Sequence, residues 1–301
     1  MNRFRLLAVL TLLFLAAPAS AKVTRYLTGS RADMNPPLAG PVLNLGGGGS
    51  DVDAGLQAMI DLARGCSDCA TKVDVVILRT TGSDGYNSYI YAMNGVDSVE
   101  TLVITRVADS NTVPVEVTIR NAEVVFFAGG DQCTYRTLFK GTAVERAVEH
   151  VYARGGAVGG TSAGMAIQGE LTYDFFAWDH MGGVLTDTHF VARDRMGRLM
   201  GFLARQIKDG RAHSALGIAG DEVSSLVVDA SGLATVMGVG AVYVVLADHA
   251  PEQCAPKKPL TYSNFKIWRL SPGDVFDLQN RPTSGYYTVS VRNGVLSKNP
   301  Y

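Results

Sequence analysis

Ser162 stands in Gly160-Thr161-Ser162-Ala163-Gly164, a G-x-S-x-G run entered from Ala157-Val158 and left through Met165-Ala166-Ile167. A serine at a sharp strand-to-helix corner holds its hydroxyl clear of the backbone. Glycine on either side removes side chains that would strike the adjoining elements. The chemistry such a corner serves is acyl transfer: the hydroxyl attacks a carbonyl, and a backbone N–H at the start of the next helix steadies the oxyanion. A tight structural turn is the competing reading of the same residues.

A serine nucleophile needs a base, and the chain holds five histidines: His150, His180, His189, His213 and His249. His150 lies on an amphipathic helical stretch, His213 and His249 in turn-like contexts, and His180 beside Trp178 and Asp179. His189 leads, because Arg193, Arg195 and Arg198 follow it closely. Guanidinium forks match carboxylates in shape and charge, so the three arginines read as a clamp for acidic groups on a substrate. A solvated basic turn is the alternative.

The elements that must position these groups are legible as alternating strands and helices. Pro41–Leu45 reads as a buried strand that runs into Gly46–Gly49. Ser50-Asp51 then caps a helix with Val52, Leu56, Met59, Ile60 and Ala63 on one stripe. The glycine loop lacks the Lys-Ser/Thr of a P-loop and a convincing dinucleotide fingerprint, so it reads as close backbone approach to a pocket. Val73–Leu78, Thr101–Thr105 and Glu123–Phe127 are nearly continuous apolar strands, as a parallel sheet covered on both faces requires. A helix is predicted over Thr142–Arg154. The expected class is therefore α/β, a mostly parallel sheet flanked by helices with sites at the carboxyl ends of strands. From the 210s onward, short apolar runs separated by Ser231-Gly232, Ser271-Pro-Gly-Asp274 and Arg292-Asn-Gly294 predict additional antiparallel strands.

Residues 1–21 carry Arg3 and Arg5, an apolar run from Leu6 to Ala17 and the small-x-small exit Ala19-Ser-Ala21. This is the pattern of a secretory signal peptide cleaved after Ala21, which predicts a periplasmic or secreted protein with no membrane span after cleavage. Residues 22–301 are then one catalytic α/β domain. Of 27 basic residues, Arg3 and Arg5 leave with the leader, so 25 face 28 acidic ones. That balance argues against nucleic acid as a partner. For an exported chain the four cysteines default to disulfides. Cys66 and Cys69 are the expected pair, with redox chemistry the lesser reading, and Cys133 with Cys254 is the remaining pairing.

Four blocks in order, "FFAGGDQ", "GGTSAGM", "DTHFVARDRMGRL" and "LGIAGDEVSSLVV", resemble the cyanophycinase branch of the S51 serine peptidases. These are relatives of aspartyl dipeptidases with a class I glutamine amidotransferase-like, flavodoxin-like fold. The resemblance implies Ser162 as nucleophile, His189 as base and Glu222 as the acid orienting it, with Asp221 as a rival orienter. It implies an oxyanion hole from Ala163 with Gly130 or Asp131, and substrate contacts from Gln132, Asp187, Thr188, Arg193, Arg195 and Arg198. The implied reaction is exopeptidase release of β-Asp-Arg dipeptides from cyanophycin, with substrate guanidinium groups meeting acids such as Asp187. It requires no cofactor and no metal, and the family suggests a homodimer. An α-aspartyl dipeptidase or a broader peptidase is the alternative, and a non-catalytic binding protein on the same fold the lesser one. Two features depart from the family pattern: Thr188 stands where glutamine commonly precedes the histidine, and the stretch from Ser162 to His189 is short.

Overall fold

The chain alternates strands and helices up to about residue 208 and is almost entirely β beyond it. The computed structural model describes residues 23–301, so the signal-peptide reading of residues 1–21 lies outside the described residues. In chain order the elements are β1 (Thr24–Gly29), β2 (Val42–Gly46), α1 (Asp53–Arg64), β3 (Val73–Arg79), α2 (Asn87–Tyr91) and β4 (Val96–Val103). Then come α3 (Val113–Asn121), β5 (Val124–Phe127), α4 (Gln132–Phe139), α5 (Ala143–Ala153), β6 (Ala157–Thr161), α6 (Ala163–Ala166) and α7 (Glu170–Tyr173). β7 (Val184–Asp187) and α8 (Met196–Lys208) lead into β8 (Ala215–Gly220), β9 (Ser224–Val228), β10 (Leu233–Gly238) and β11 (Val242–Ala247). The chain finishes with β12 (Tyr262–Leu270), β13 (Val275–Asp277), β14 (Tyr287–Arg292) and β15 (Val295–Leu296).

The strands form two sheets. The first runs β1-β4-β3-β5-β6-β2-β9-β10-β13. Its middle, β4-β3-β5-β6-β2, is parallel throughout, and β1, β9, β10 and β13 add antiparallel edges. The buried runs expected for β3 and β5 are there, with β5 and β6 inaccessible along their whole length. Helical layers cover both faces, with Leu56, Met59 and Ile60 of α1 on one side and Val144, Val148 and Val151 of α5 on the other. Such packing removes about 1.5–3 kcal/mol worth of apolar surface from water per large side chain, before the entropy of ordering is counted.

The second sheet, β15-β14-β12-β11-β8-β7, holds most of the additional antiparallel strands expected after the 210s. β7 and β8 pair in parallel and the rest are antiparallel. It has its own apolar core against Leu199, Met200 and Leu203 of α8. The turn Ser271–Asp274 therefore does not close a hairpin but carries the chain from β12 in one sheet to β13 in the other. Arg292-Asn-Gly294 does close one, between β14 and β15, with Asn293 and Gly294 both at positive φ as a type I′ turn requires.

Two local expectations are corrected. α1 starts at Asp53 behind Val52, and Asp51 does not cap it; the Asp51 carboxylate instead accepts a 2.7 Å hydrogen bond from the Tyr86 hydroxyl. Cys66 and Cys69 are joined, but Cys133 and Cys254 are not bonded to each other. Cys133 is exposed on the first turn of α4, whereas Cys254 packs against the apolar layer of the second sheet.

Candidate active site

β6 ends at Thr161, and Ser162 turns the chain into α6 with φ 54° and ψ −112°. A non-glycine residue there is strained and persists only where the surroundings fix it. The flanking glycines meet the steric demand. A Cβ on Gly160 would lie 2.6 Å from the Gly164 carbonyl carbon, and one on Gly164 would lie 2.2 Å from the Phe127 carbonyl oxygen. α6 has only four residues, so a helix dipole contributes little; the donors at this corner are the N–H groups themselves. Among the described residues none accepts a hydrogen bond from the Ala163 or Gly130 N–H. Gly130 lines the cavity beside Ser162. The carboxylate of Asp131, the other expected backbone donor, caps α4, accepting from the Cys133 N–H at 2.8 Å and the Thr134 hydroxyl at 3.1 Å.

Ser162 Oγ lies 2.9 Å from His189 Nε2, and His189 Nδ1 lies 2.7 Å from Glu222 Oε1. His189 follows β7 and is buried at 8% exposure; Glu222 sits in the turn joining β8 to β9, its side chain 40% exposed. The arrangement lets the histidine take a proton from the serine while the carboxylate fixes its ring and tautomer. Asp221 does not touch the ring. Its Oδ1 accepts the N–H groups of Val191 and Ala192 at 3.0 and 3.2 Å, bracing the segment just after His189. The other histidines are elsewhere: His150 lies beside Arg120, and His249 bonds Asp248 and stacks on Tyr262.

Beside Ser162 opens a cavity of about 440 Å³ whose wall includes all six expected substrate residues, Gln132, Asp187, Thr188, Arg193, Arg195 and Arg198. Asp187 is only 4% exposed and already engaged. Arg198 grips it through the Nε and Nη2 edge of its guanidinium (Nε to Oδ2 at 3.1 Å), and Arg195 Nη1 approaches at 3.5 Å. Arg195 also donates to the Thr188 carbonyl at 2.7 Å. The Asp187 carboxylate is thus paired with Arg198 and Arg195. Three guanidinium groups against one carboxylate leave the wall with a positive excess. Burial, and then the neighbouring Arg198, hold the Arg195 guanidinium below its usual value. Sequence reasoning missed Tyr173, which lines the cavity with Gln132, and Phe202, which is 44% exposed one turn beyond Arg198. An exposed aromatic four residues after an arginine on a helix was the available signal for Phe202. Among the described residues no cluster of three or more His, Cys, Asp or Glu side chains is arranged to hold a metal ion, and no helix is long and apolar enough to cross a membrane.

No protein-family model matches the chain. The chain is 30% identical over 214 residues to the cyanophycinases of Nostoc sp. and Trichormus variabilis, covering 64% of this chain and 69% of each relative. It is 26% identical over 208 residues to that of Synechococcus elongatus, covering 62% of either chain. Among solved structures, a peptidase from an acI-B1 Actinobacterium superposes with a TM-score of 0.54 at 15% identity, covering 80% of this chain and 98% of that one, which bears on the fold alone. The protein is thus a hydrolase, a peptidase of the S51 type. Within that class the chain belongs to the cyanophycinase family.

Proposed function

We propose that the chain is an exported serine exopeptidase that releases β-Asp-Arg dipeptides from cyanophycin through Ser162, His189 and Glu222. The observation that carries this reading is the hydrogen-bonded series Ser162–His189–Glu222, at 2.9 and 2.7 Å, opening on a cavity walled by three arginines. Ser162 Oγ attacks the peptide carbonyl as its proton passes to His189 Nε2. The oxyanion receives the Ala163 and Gly130 N–H groups. His189 then protonates the leaving amine, the C–N bond breaks, and an acyl-serine remains. Water attacks that ester, giving its proton to His189, and the carboxylate product departs with Ser162 Oγ reprotonated. Substrate carboxylates are held by Arg193 and Arg195. Residues 1–21 direct export, with cleavage after Ala21, and the mature chain pairs as a homodimer.

One observation favours a second reading, an α-aspartyl dipeptidase or broader acidic-peptide hydrolase. Asp187 is occupied by Arg198 and Arg195, so the cavity favours substrates bearing acids over those bearing a guanidinium. The test is incubation of purified cyanophycin granules with residues 22–301, beside Ser162→Ala. β-Asp-Arg released by the unsubstituted protein alone upholds the first reading. Absence of release, with Ser162 still labelled by a fluorophosphonate and acidic dipeptides hydrolysed, transfers the activity to the second. Mass of the exported chain tests cleavage after Ala21, and light scattering tests the dimer.

A further inference from the structure

Three residues of the site region, Ser162, His189 and Val223, carry side chains at positive φ, 54°, 48° and 56°. Each costs strain, most clearly the β-branched Val223. Their N–H groups converge on one short segment. Ser162 donates to the Gly46 carbonyl at 3.0 Å, His189 to the Gly47 carbonyl at 2.8 Å, and Val223 to the Gly48 carbonyl at 2.9 Å. Three successive carbonyls thus hold the nucleophile, the base and the residue after the acid, which arrive from β6, β7 and the β8–β9 turn.

The segment can do this only without side chains. Gly47 passes so close to the acid-bearing turn that a Cβ would fall 1.9 Å from the Asp221 carbonyl oxygen, and its N–H donates to the Ser224 carbonyl at 2.8 Å. Gly48, at φ 103°, faces the His189 ring: a Cβ would lie 2.5 Å from Cε1 and 2.6 Å from Nε2, the atom that meets Ser162. Gly49, at φ 78°, faces the acid: a Cβ would lie 2.9 Å from Glu222 Cβ and 3.3 Å from its carboxyl carbon. The far side of the same turn is also held, because the Val239 and Gly240 N–H groups both donate to the Val223 carbonyl.

We infer that Gly46–Gly49 is a positioning element of the reaction, setting the spacing of Ser162, His189 and Glu222 to one another through its carbonyls and through bare α-carbons packed on the base and the acid. The inference rests on the assignment of that triad. It accounts for the run of four glycines without invoking a phosphate, since these carbonyls accept from the protein itself.

The test compares Gly48→Ala and Gly49→Ala with Gly141→Ala. Gly141 has a positive φ too, 74°, close to that of Gly49, but a Cβ there meets nothing within 4 Å, so it reports backbone strain alone. Active sites are counted by exhaustive fluorophosphonate labelling, and kcat, KM and the labelling rate constant are expressed per labelled site. The expected result is a fall of about 100-fold in kcat and in labelling rate for Gly48→Ala, with KM within about twofold, because an ångström of misplacement costs that much. Gly49→Ala falls less, roughly tenfold, because the Glu222 side chain is 40% exposed and has room to move aside, and Gly141→Ala keeps wild-type values per site. A loss of stability alone would lower the number of labelled sites and leave the rate per site unchanged. Rates per site for both variants equal to that of Gly141→Ala overturn the inference. If Gly48→Ala does not fold, Gly49→Ala against Gly141→Ala decides it. Failure of the triad assignment is read separately, as wild-type protein that does not label or Ser162→Ala that retains activity.

Discussion

His189 has two acidic neighbours in sequence order, Asp221 and Glu222, and they act on different parts of it. Glu222 meets the ring at 2.7 Å, and Asp221 braces the backbone two and three residues on. Glu222→Gln is expected to lower kcat about a thousandfold, with the melting temperature nearly unchanged because the side chain is 40% exposed. Steady-state kinetics beside calorimetry checks this; an equal loss of stability would make Glu222 a structural acid. Arg195→Ala is expected to raise KM for acidic dipeptides about tenfold, the value of one charge-assisted hydrogen bond, and to leave neutral peptides unaffected. Unchanged KM on both would remove Arg195 from substrate binding. Ser162 was legible because its strain and its glycines are local. The choice between Asp221 and Glu222 was not, since adjacent residues in a turn face different ways and only the packed loop decides which one reaches the ring.

At the scale of elements, the parallel strands were readable from their unbroken apolar runs, but their partners were not. The Ser271–Asp274 turn has the composition of a hairpin and instead changes sheets, because turn chemistry fixes a local reversal and not the next strand's neighbour. Likewise Tyr173 and Phe202 come from α7 and α8, whose faces toward the cavity exist only once the second sheet has docked. The β6–α6 corner is the element most sensitive to added volume. Gly164→Ala puts a methyl group 2.2 Å from the Phe127 carbonyl oxygen and is expected to cost about 2–3 kcal/mol in urea unfolding; a change below experimental error would mean that α6 can shift freely. The cysteines give a second check. Brief exposure of the native protein to a thiol reagent is expected to modify Cys133 first, Cys254 slowly, and neither Cys66 nor Cys69, as read by mass.

For the whole molecule, pH acts at the end of the sheet opposite the site. Glu123 is fully buried between the Asp74 N–H and Arg154, and burial pushes its carboxyl up to about 7 despite both partners. Burial raises the nearby Asp74 as well. A carboxyl whose folded value lies above its unfolded value of 4.5 gives stability that is complete below that value and is lost as pH climbs through 7. Asp248, held down by Lys266 and His249, acts in the opposite sense and loses its contribution only below about pH 4. Stability is therefore expected to be greater at pH 5 than at pH 7.5, and Glu123→Gln is expected to flatten that slope. Urea titrations at the two pH values settle it, and an unaltered slope would clear Glu123. The proposed triad spans both sheets: Ser162 comes from the first, His189 from the second, and Glu222 from the strand-to-strand passage between them. A chain still emerging from synthesis holds no complete set of these three residues until residue 222 has joined the rest. On that reading the hydrolytic groups meet only where the two sheets join, so a fragment ending before the β8–β9 turn is expected to carry no activity.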